Sequence, residues 1–121
     1  MEKDKLTEQI IGCGFAVHRE LGPGFPEKIY HNALQLALQK AGLAVDTGKR
    51  LGVSFGGARI GTFQVDLLVE ERVVVEVKAV SGTMPKVFEA QVLAYLKAAK
   101  LPVGLLVNFG NTSCQVRRFV R

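Results

Sequence analysis

A chain of 121 residues, 48% hydrophobic and 22% charged, is long enough to bury about two-thirds of its unfolded surface in a core of its own, and a single domain over 1–121 is expected. No run approaches the roughly 18 apolar residues that a membrane helix needs, and the polar start MEKDK does not resemble a signal peptide, so a soluble, cytoplasmic protein without a membrane partner is expected. The formal charge of +5 and the pI near 9.5 suit an anionic partner such as nucleic acid, and suit a well-solvated surface almost as well.

From about Lys5 to Leu21, Leu6, Ile10, Cys13, Val17 and Leu21 recur at three- and four-residue steps, the stripe of an amphipathic helix that Gly22-Pro23-Gly24 ends. A second helix is expected from Pro26 or Glu27 to Ala41, with Tyr30, Ala33, Leu34, Ala37 and Leu38 on one side and Gly42 as its stop. Leu51, Val53 and Phe55 alternate as a strand does, and Gly56-Gly57 signals a hairpin into the next strand. Gln64 to Val69 and Val73 to Val80 read as two further strands around a turn at Glu70-Glu71-Arg72. A loop at Ser81 to Pro85, a helix from Lys86 to Lys100, an interior strand from Val103 to Phe109 and a last strand from Cys114 to Val120 complete the chain. This is an α/β arrangement: a three-strand antiparallel meander plus two further strands in a mixed sheet, flanked by helices. The helix between the last three strands makes a right-handed crossover the expected connection.

Charge falls where burial is expected. Asp66, Glu76 and Lys78 lie inside runs that otherwise read as core strand, and an unpaired charge is costly to desolvate there. Side chains alternate faces along a strand, so a three-residue turn that closes Val69 against Val73 sets Asp66 opposite Glu76, whereas a two-residue turn sends Glu76 to the other face. The three-residue turn is the expectation. Two opposed carboxylates need a neutralising partner, and a hard divalent ion such as Mg2+ or Mn2+ takes carboxylate oxygens and water. The alternative is a solvated sheet face on which Glu76 and Lys78 complement each other. Against it, Leu68, Val74 and Val80 share the parity of the charged residues, while Val65, Leu67, Val73, Val75 and Val77 make the other face wholly apolar. A sheet apolar on both sides is covered on both sides, which leaves the charges at the rim of a covered face.

Other residues carry less. Cys13 and Cys114 are far apart and without zinc spacing, as reduced core thiols would be. His18 and His31 sit on separate helices with no spaced partner and read as surface or boundary residues. The Gly22-Pro23-Gly24 loop lacks the lysine of a P-loop, and Ser81 and Ser113 lack a His or Asp companion. Gln91 and Tyr95, four residues apart on the third helix, read either as a boundary pair between core and solvent or as part of a site.

The order helix, Asp66, Glu76-Val77-Lys78, then a helix with Gln91-x-x-x-Tyr95 resembles the PD-(D/E)xK nuclease superfamily, especially its exonuclease-like members. Gly24-Phe25-Pro26-Glu27-Lys28-Ile29-Tyr30 resembles the pattern of the small bacterial GxxExxY proteins assigned to that superfamily, as do the stretches HRELGPGFPEKIY, EVKAV and GLLVNFG, so the likeness covers nearly the whole chain. The resemblance implies a restriction-endonuclease-like core. It implies further that Asp66, Glu76, the Val77 carbonyl and Glu27 hold Mg2+ or Mn2+, and that Lys78 acts on the attacking water or the developing phosphate charge. Gln91 and Tyr95 would position nucleic acid or the site. For Glu27, a plain reading as a first-turn acid on the helix dipole stands beside the site role. Val65 occupies the place of the motif's proline, a position that contributes no ligand. The implied activity is phosphodiester hydrolysis of DNA or RNA. The alternative is a nucleic-acid-binding or protein-interaction domain that keeps the fold without turnover, and in either case a chain this short invites a second copy to help grip a duplex.

Overall fold

In the computed structural model, which describes residues 4–121, the Asp4 carboxylate caps the first helix, α1 (Lys5–Leu21), by accepting from the Leu6 amide at 2.9 Å. The expectation drawn from MEKDK rests largely on residues 1–3, outside the described part. Leu6, Ile10 and Val17 are buried as their spacing implies. Gly22 closes the helix at φ 67°, its amide bonded to the His18 carbonyl at 2.8 Å. Pro26 immediately precedes α2 (Glu27–Lys40), which buries Tyr30, Leu34 and Leu38 on one stripe.

Seven strands follow the two helices: β1 (Val45–Thr47), β2 (Arg50–Phe55), β3 (Ala58–Gln64), β4 (Leu67–Val69), β5 (Val73–Lys78), and, after α3 (Lys86–Ala99), β6 (Val103–Asn108) and β7 (Gln115–Val120). Five of them form one mixed sheet in the order β1-β4-β5-β6-β7, and β2 and β3 form a separate two-stranded ribbon. Only β5 and β6 are parallel, joined by α3; all other neighbours are antiparallel.

Both faces of the large sheet are covered. Leu67, Val69, Val73, Val75, Val77, Leu105 and Val107 pack with Ile10, Tyr30, Leu34 and Leu38 of the first two helices. Leu68, Val74 and Leu106 pack on the opposite side with Val92 and Leu96 of α3, joined by Leu51 and Phe63 of the ribbon. These two clusters follow the alternation of the strands, as period-two patterning requires.

Three details differ from expectation. The meander is interrupted: β3 ends at Gln64 and β4 begins at Leu67, because β3 pairs with β2 while β4 pairs with β1 and β5, and the chain changes sheets at Val65-Asp66. The short strand β1 has only one β-branched apolar residue and was not evident from its pattern. Finally, β5 stops at Lys78 rather than Val80. Past that point the Asn108 side chain takes over, its Oδ1 accepting from the Val80 amide and its Nδ2 donating to the Val80 carbonyl, both at 2.9 Å. Gly110 makes this approach feasible: a Cβ there would lie 2.3 Å from the Val80 carbonyl oxygen. Among the described residues no helix is long and apolar enough to cross a membrane.

Candidate active site

The turn at Glu70-Glu71-Arg72 closes Val69 against Val73, and Leu67 stands opposite Val75. One step further along this register, Asp66 comes opposite Glu76. The chain bend at Asp66 leaves the antiparallel ladder unfinished there, and the two carboxylates complete it. Glu76 Oε2 accepts from the Asp66 amide at 2.8 Å, and Asp66 Oδ2 accepts from the Val77 amide at 2.8 Å. The N–H and C=O of one residue in an extended strand project to the same edge. The Val77 carbonyl therefore faces the Asp66 side of β5.

Glu76 is 4% exposed and Asp66 is half-buried. Burial foremost, and then the neighbouring charge of Asp66, pushes the Glu76 carboxyl up to about 7, against the pull of the Asp66 amide and Lys78. Lys78, two residues along β5, holds its Nζ 4.3 Å from the centre of the Phe88 ring of α3, a cation–π seat that keeps the ammonium under the helix. On α3, Tyr95 stacks on Phe63 of β3 with ring centres 4.4 Å apart. Burial, then the charges of Glu76 and Asp66, raises its phenol above the ordinary range, with Gln91 acting the other way. Gln91 Oε1 is buried without a hydrogen-bond partner. An unpaired buried acceptor costs about 1–3 kcal/mol.

Glu27 reaches this neighbourhood from the start of α2. Tyr30, one turn on, is fully buried and stacks on Phe109 with ring planes 2° apart. Its hydroxyl donates to the Gly22 carbonyl and accepts from the Phe25 amide, which pins the connection before α2. Glu27 stays exposed. Although the residue is exposed, the protein around its carboxyl partly desolvates and raises it, Lys78 and His31 oppose that shift, and Asp66 adds to it. Glu27 and Glu76 thus each feel the charges of Asp66 and Lys78, and Glu76 that of Glu27 as well.

His31 departs from its reading as a surface or boundary residue without a partner. Its Nε2 donates to the Asp66 carbonyl at 3.2 Å and lies 3.2 Å from the Thr47 hydroxyl, while the Gly48 amide donates to the same carbonyl at 3.1 Å. With Glu27, Lys28, Thr47, Gly48, Gln64, Val65 and Asp66 it lines a cleft of about 300 Å3. Glu76 and Lys78 do not line that cleft. The available signal was helical spacing: His31 is four residues after Glu27, on the same side of α2.

Each carboxylate of the Asp66–Glu76 pair spends one oxygen on a backbone N–H, which leaves its other oxygen for a different partner. Among the described residues no three His, Cys, Asp or Glu side chains form a cation cage by themselves. The donor set fits a hard divalent ion that keeps several waters, with the Val77 carbonyl as a backbone supplement, and does not fit a closed thiolate or imidazole site. Cys13 and Cys114 are free thiols whose burial raises both, Cys114 to about 11.

A sequence model of the PD-(D/E)XK nuclease superfamily matches residues 4–119. The chain belongs to that superfamily. Val65-Asp66 and Glu76-Val77-Lys78 stand in the order its name spells out, with valine in place of proline. The mixed sheet covered by helices on both faces is consistent with the superfamily's restriction-endonuclease-like fold. The crystal structure of SSO0001 is similar, with a TM-score of 0.62 and 18% identity over 78% of this chain and 50% of that one, a likeness of fold. This chain spans about half the length of that protein. No curated protein matches the chain. The superfamily implies nucleic acid as the substrate and, in general, a divalent metal as the cofactor.

Proposed function

We propose that this chain is a single-domain, cytoplasmic nuclease that hydrolyses phosphodiester bonds of DNA, and possesses the GxxExxY arrangement in which Gly24 and Tyr30 shape the loop that delivers Glu27. The observation that carries the reading is the Asp66–Glu76 pair: two adjacent carboxylates, one lifted to about 7 by burial and by the other's charge. Such a pair is poorly compensated by Lys78 alone and is ready for a doubly charged ion.

Asp66 and Glu76, with the Val77 carbonyl and Glu27, would hold Mg2+ or Mn2+, which when bound would supply Lewis-acid stabilisation of the phosphate and an acidified water. Hydrolysis adds water at phosphorus, breaks one P–O ester bond and places a proton on the departing oxygen. The Lys78 ammonium, fixed against Phe88, stabilises the charge that grows on the phosphate. Gln91 offers a buried amide and Tyr95 a phenol to orient the nucleic acid or the water beside them.

The deciding experiment measures Mn2+-dependent nicking of plasmid and of labelled single- and double-stranded DNA and RNA, with Asp66→Asn and Lys78→Met prepared in parallel. Cleavage by wild type and its loss in both variants supports the reading; equal cleavage by all three exposes a contaminant and sinks it. A second reading is a nucleic-acid-binding domain that keeps the fold without turnover; among the described residues no three-ligand cluster is ready-made. That domain would bind DNA equally well in chelator and would not cleave it.

A further inference from the structure

The β2–β3 ribbon has no part in the chemistry just described, yet its composition is distinctive. Thr47 to Val65 contains no Asp or Glu and carries Lys49, Arg50 and Arg59. Every residue of β3 except Phe63 is exposed. Its inner face is accounted for by Leu51 and Phe63, packed toward α3.

The outer face is built differently. Arg50 pairs with Gln64 and Gly52 with Thr62, and after a bulge Ser54 pairs with Arg59. The Arg50 guanidinium donates to the Thr62 hydroxyl at 3.4 Å. The Arg59 guanidinium lies over the bare backbone of Gly52, so closely that a Cβ on Gly52 would come within 2.4 Å of its Nε and Cζ. A glycine in mid-strand costs stability. Here it makes a bed for the arginine. The ion pairs among the described residues use Lys49, Arg72 and Arg117, so Arg50 and Arg59 have no carboxylate partner there. Two unpaired guanidinium groups beside the hydroxyls of Ser54 and Thr62 suit phosphate oxygens, which arginine meets with paired donors.

The ribbon is also tied to the candidate site. At its root the Gly48 amide donates to the Asp66 carbonyl and the Val65 amide to the Lys49 carbonyl, both at 3.1 Å. Arg50 stands opposite Gln64, two residues from Asp66. A backbone held on the ribbon's outer face therefore runs toward the cleft that Gln64 lines with Asp66 and Glu27.

We propose that the outer face of the β2–β3 ribbon grips the sugar–phosphate backbone of the nucleic acid, with Arg50 and Arg59 on phosphates and Gly52 setting the pose of Arg59. This inference rests on the nuclease reading for the identity of its ligand. It predicts a sequence-independent, salt-sensitive grip.

The test uses the whole chain and a labelled DNA duplex in chelator, with fluorescence anisotropy across a salt series for wild type, Arg50→Ala, Arg59→Ala, Gly52→Ala and the β7 surface control Arg118→Ala. Each ribbon arginine removed should lower the magnitude of the log–log salt slope by about 0.9. Gly52→Ala should weaken binding without changing net charge, and Arg118→Ala should leave the slope as in wild type. The rise in melting temperature on adding Mn2+ should persist in all of them. Unchanged binding by the ribbon variants of a wild type that binds and cleaves DNA overturns the ribbon inference alone. A loss equally large in Arg118→Ala, or a ribbon variant that also loses its response to Mn2+, overturns it as well. A wild type that neither binds nor cleaves takes the nuclease reading down with it.

Discussion

Asp66 and Glu76 brace each other's strands: each carboxylate accepts from a backbone amide across the gap, Glu76 from that of Asp66 and Asp66 from that of Val77, both at 2.8 Å. The candidate metal ligands are therefore also structural caps on an unfinished ladder. Asp66→Asn keeps an oxygen for the Val77 amide while removing a charge, whereas Asp66→Ala leaves that amide unpaired at a cost of about 1–3 kcal/mol. Asp66→Asn should thus fold with near wild-type stability, bring the Glu76 carboxyl down from about 7 toward the usual carboxylate range, and lose Mn2+ binding and cleavage. Carbon-detected NMR titration of Glu76 reads the first effect; a carboxyl that stays near 7 in the variant would remove Asp66 from the electrostatics of the site.

Stability should depend on pH with a sign opposite to that of a salt-bridged acid. The Glu76 carboxyl sits at about 7 in the folded chain and at 4.5 without its surroundings. Between those values the native state keeps a proton that the unfolded state has released, so stability falls as pH rises through the window. The loss attributable to Glu76 is on the order of 3 kcal/mol by pH 8, all of it present as stability below pH 4.5. A divalent ion that needs the ionised carboxylate should reverse the trend, and should bind progressively more weakly below pH 7. Melting curves from pH 5 to 8 in chelator and in Mn2+ test this. Identical profiles in the two conditions would mean that the ion does not engage Glu76.

Much of this arrangement is legible in the sequence alone. Period-two patterning exposed Asp66 and Glu76 as charges in core strands, and the three residues between Val69 and Val73 fixed their registry. The sheet change at Val65-Asp66 was not legible, because local alternation runs through the bend without a break and only the competition between pairing with β2 and with β1 and β5 interrupts it. The role of His31 was hidden for a related reason. Its partners are a backbone carbonyl and Thr47, neither of which leaves a motif in sequence.

Gln91 offers a separation of stability from function. Its Oε1 is buried with nothing to accept from, so an apolar side chain of similar length relieves an unpaired acceptor. Gln91→Met also gives up the amide's hydrogen bond to Tyr95, so it should raise stability by about 1 kcal/mol at most while reducing cleavage, if the amide orients substrate or water. Urea denaturation and initial cleavage rates make the comparison. A variant both more stable and fully active would reduce Gln91 to a packing residue.

Tyr30 links the core to Glu27. Its ring is stacked on Phe109 and meets the Phe25 ring edge-on, while its hydroxyl holds the loop at the Gly22 carbonyl and the Phe25 amide. Tyr30→Phe preserves the stack and removes two part-buried hydrogen bonds to the loop backbone, for a cost of about 0.5–1.5 kcal/mol each in urea denaturation. Because that loop places Glu27, which is one residue past Pro26, cleavage should also fall, and Mn2+ should bind more weakly. Glu27→Gln supplies the comparison, since it removes the charge and leaves the loop anchored. Equal Mn2+ affinity in wild type and Glu27→Gln would confine Glu27 to the helix start, where an acid on the helix dipole needs no metal.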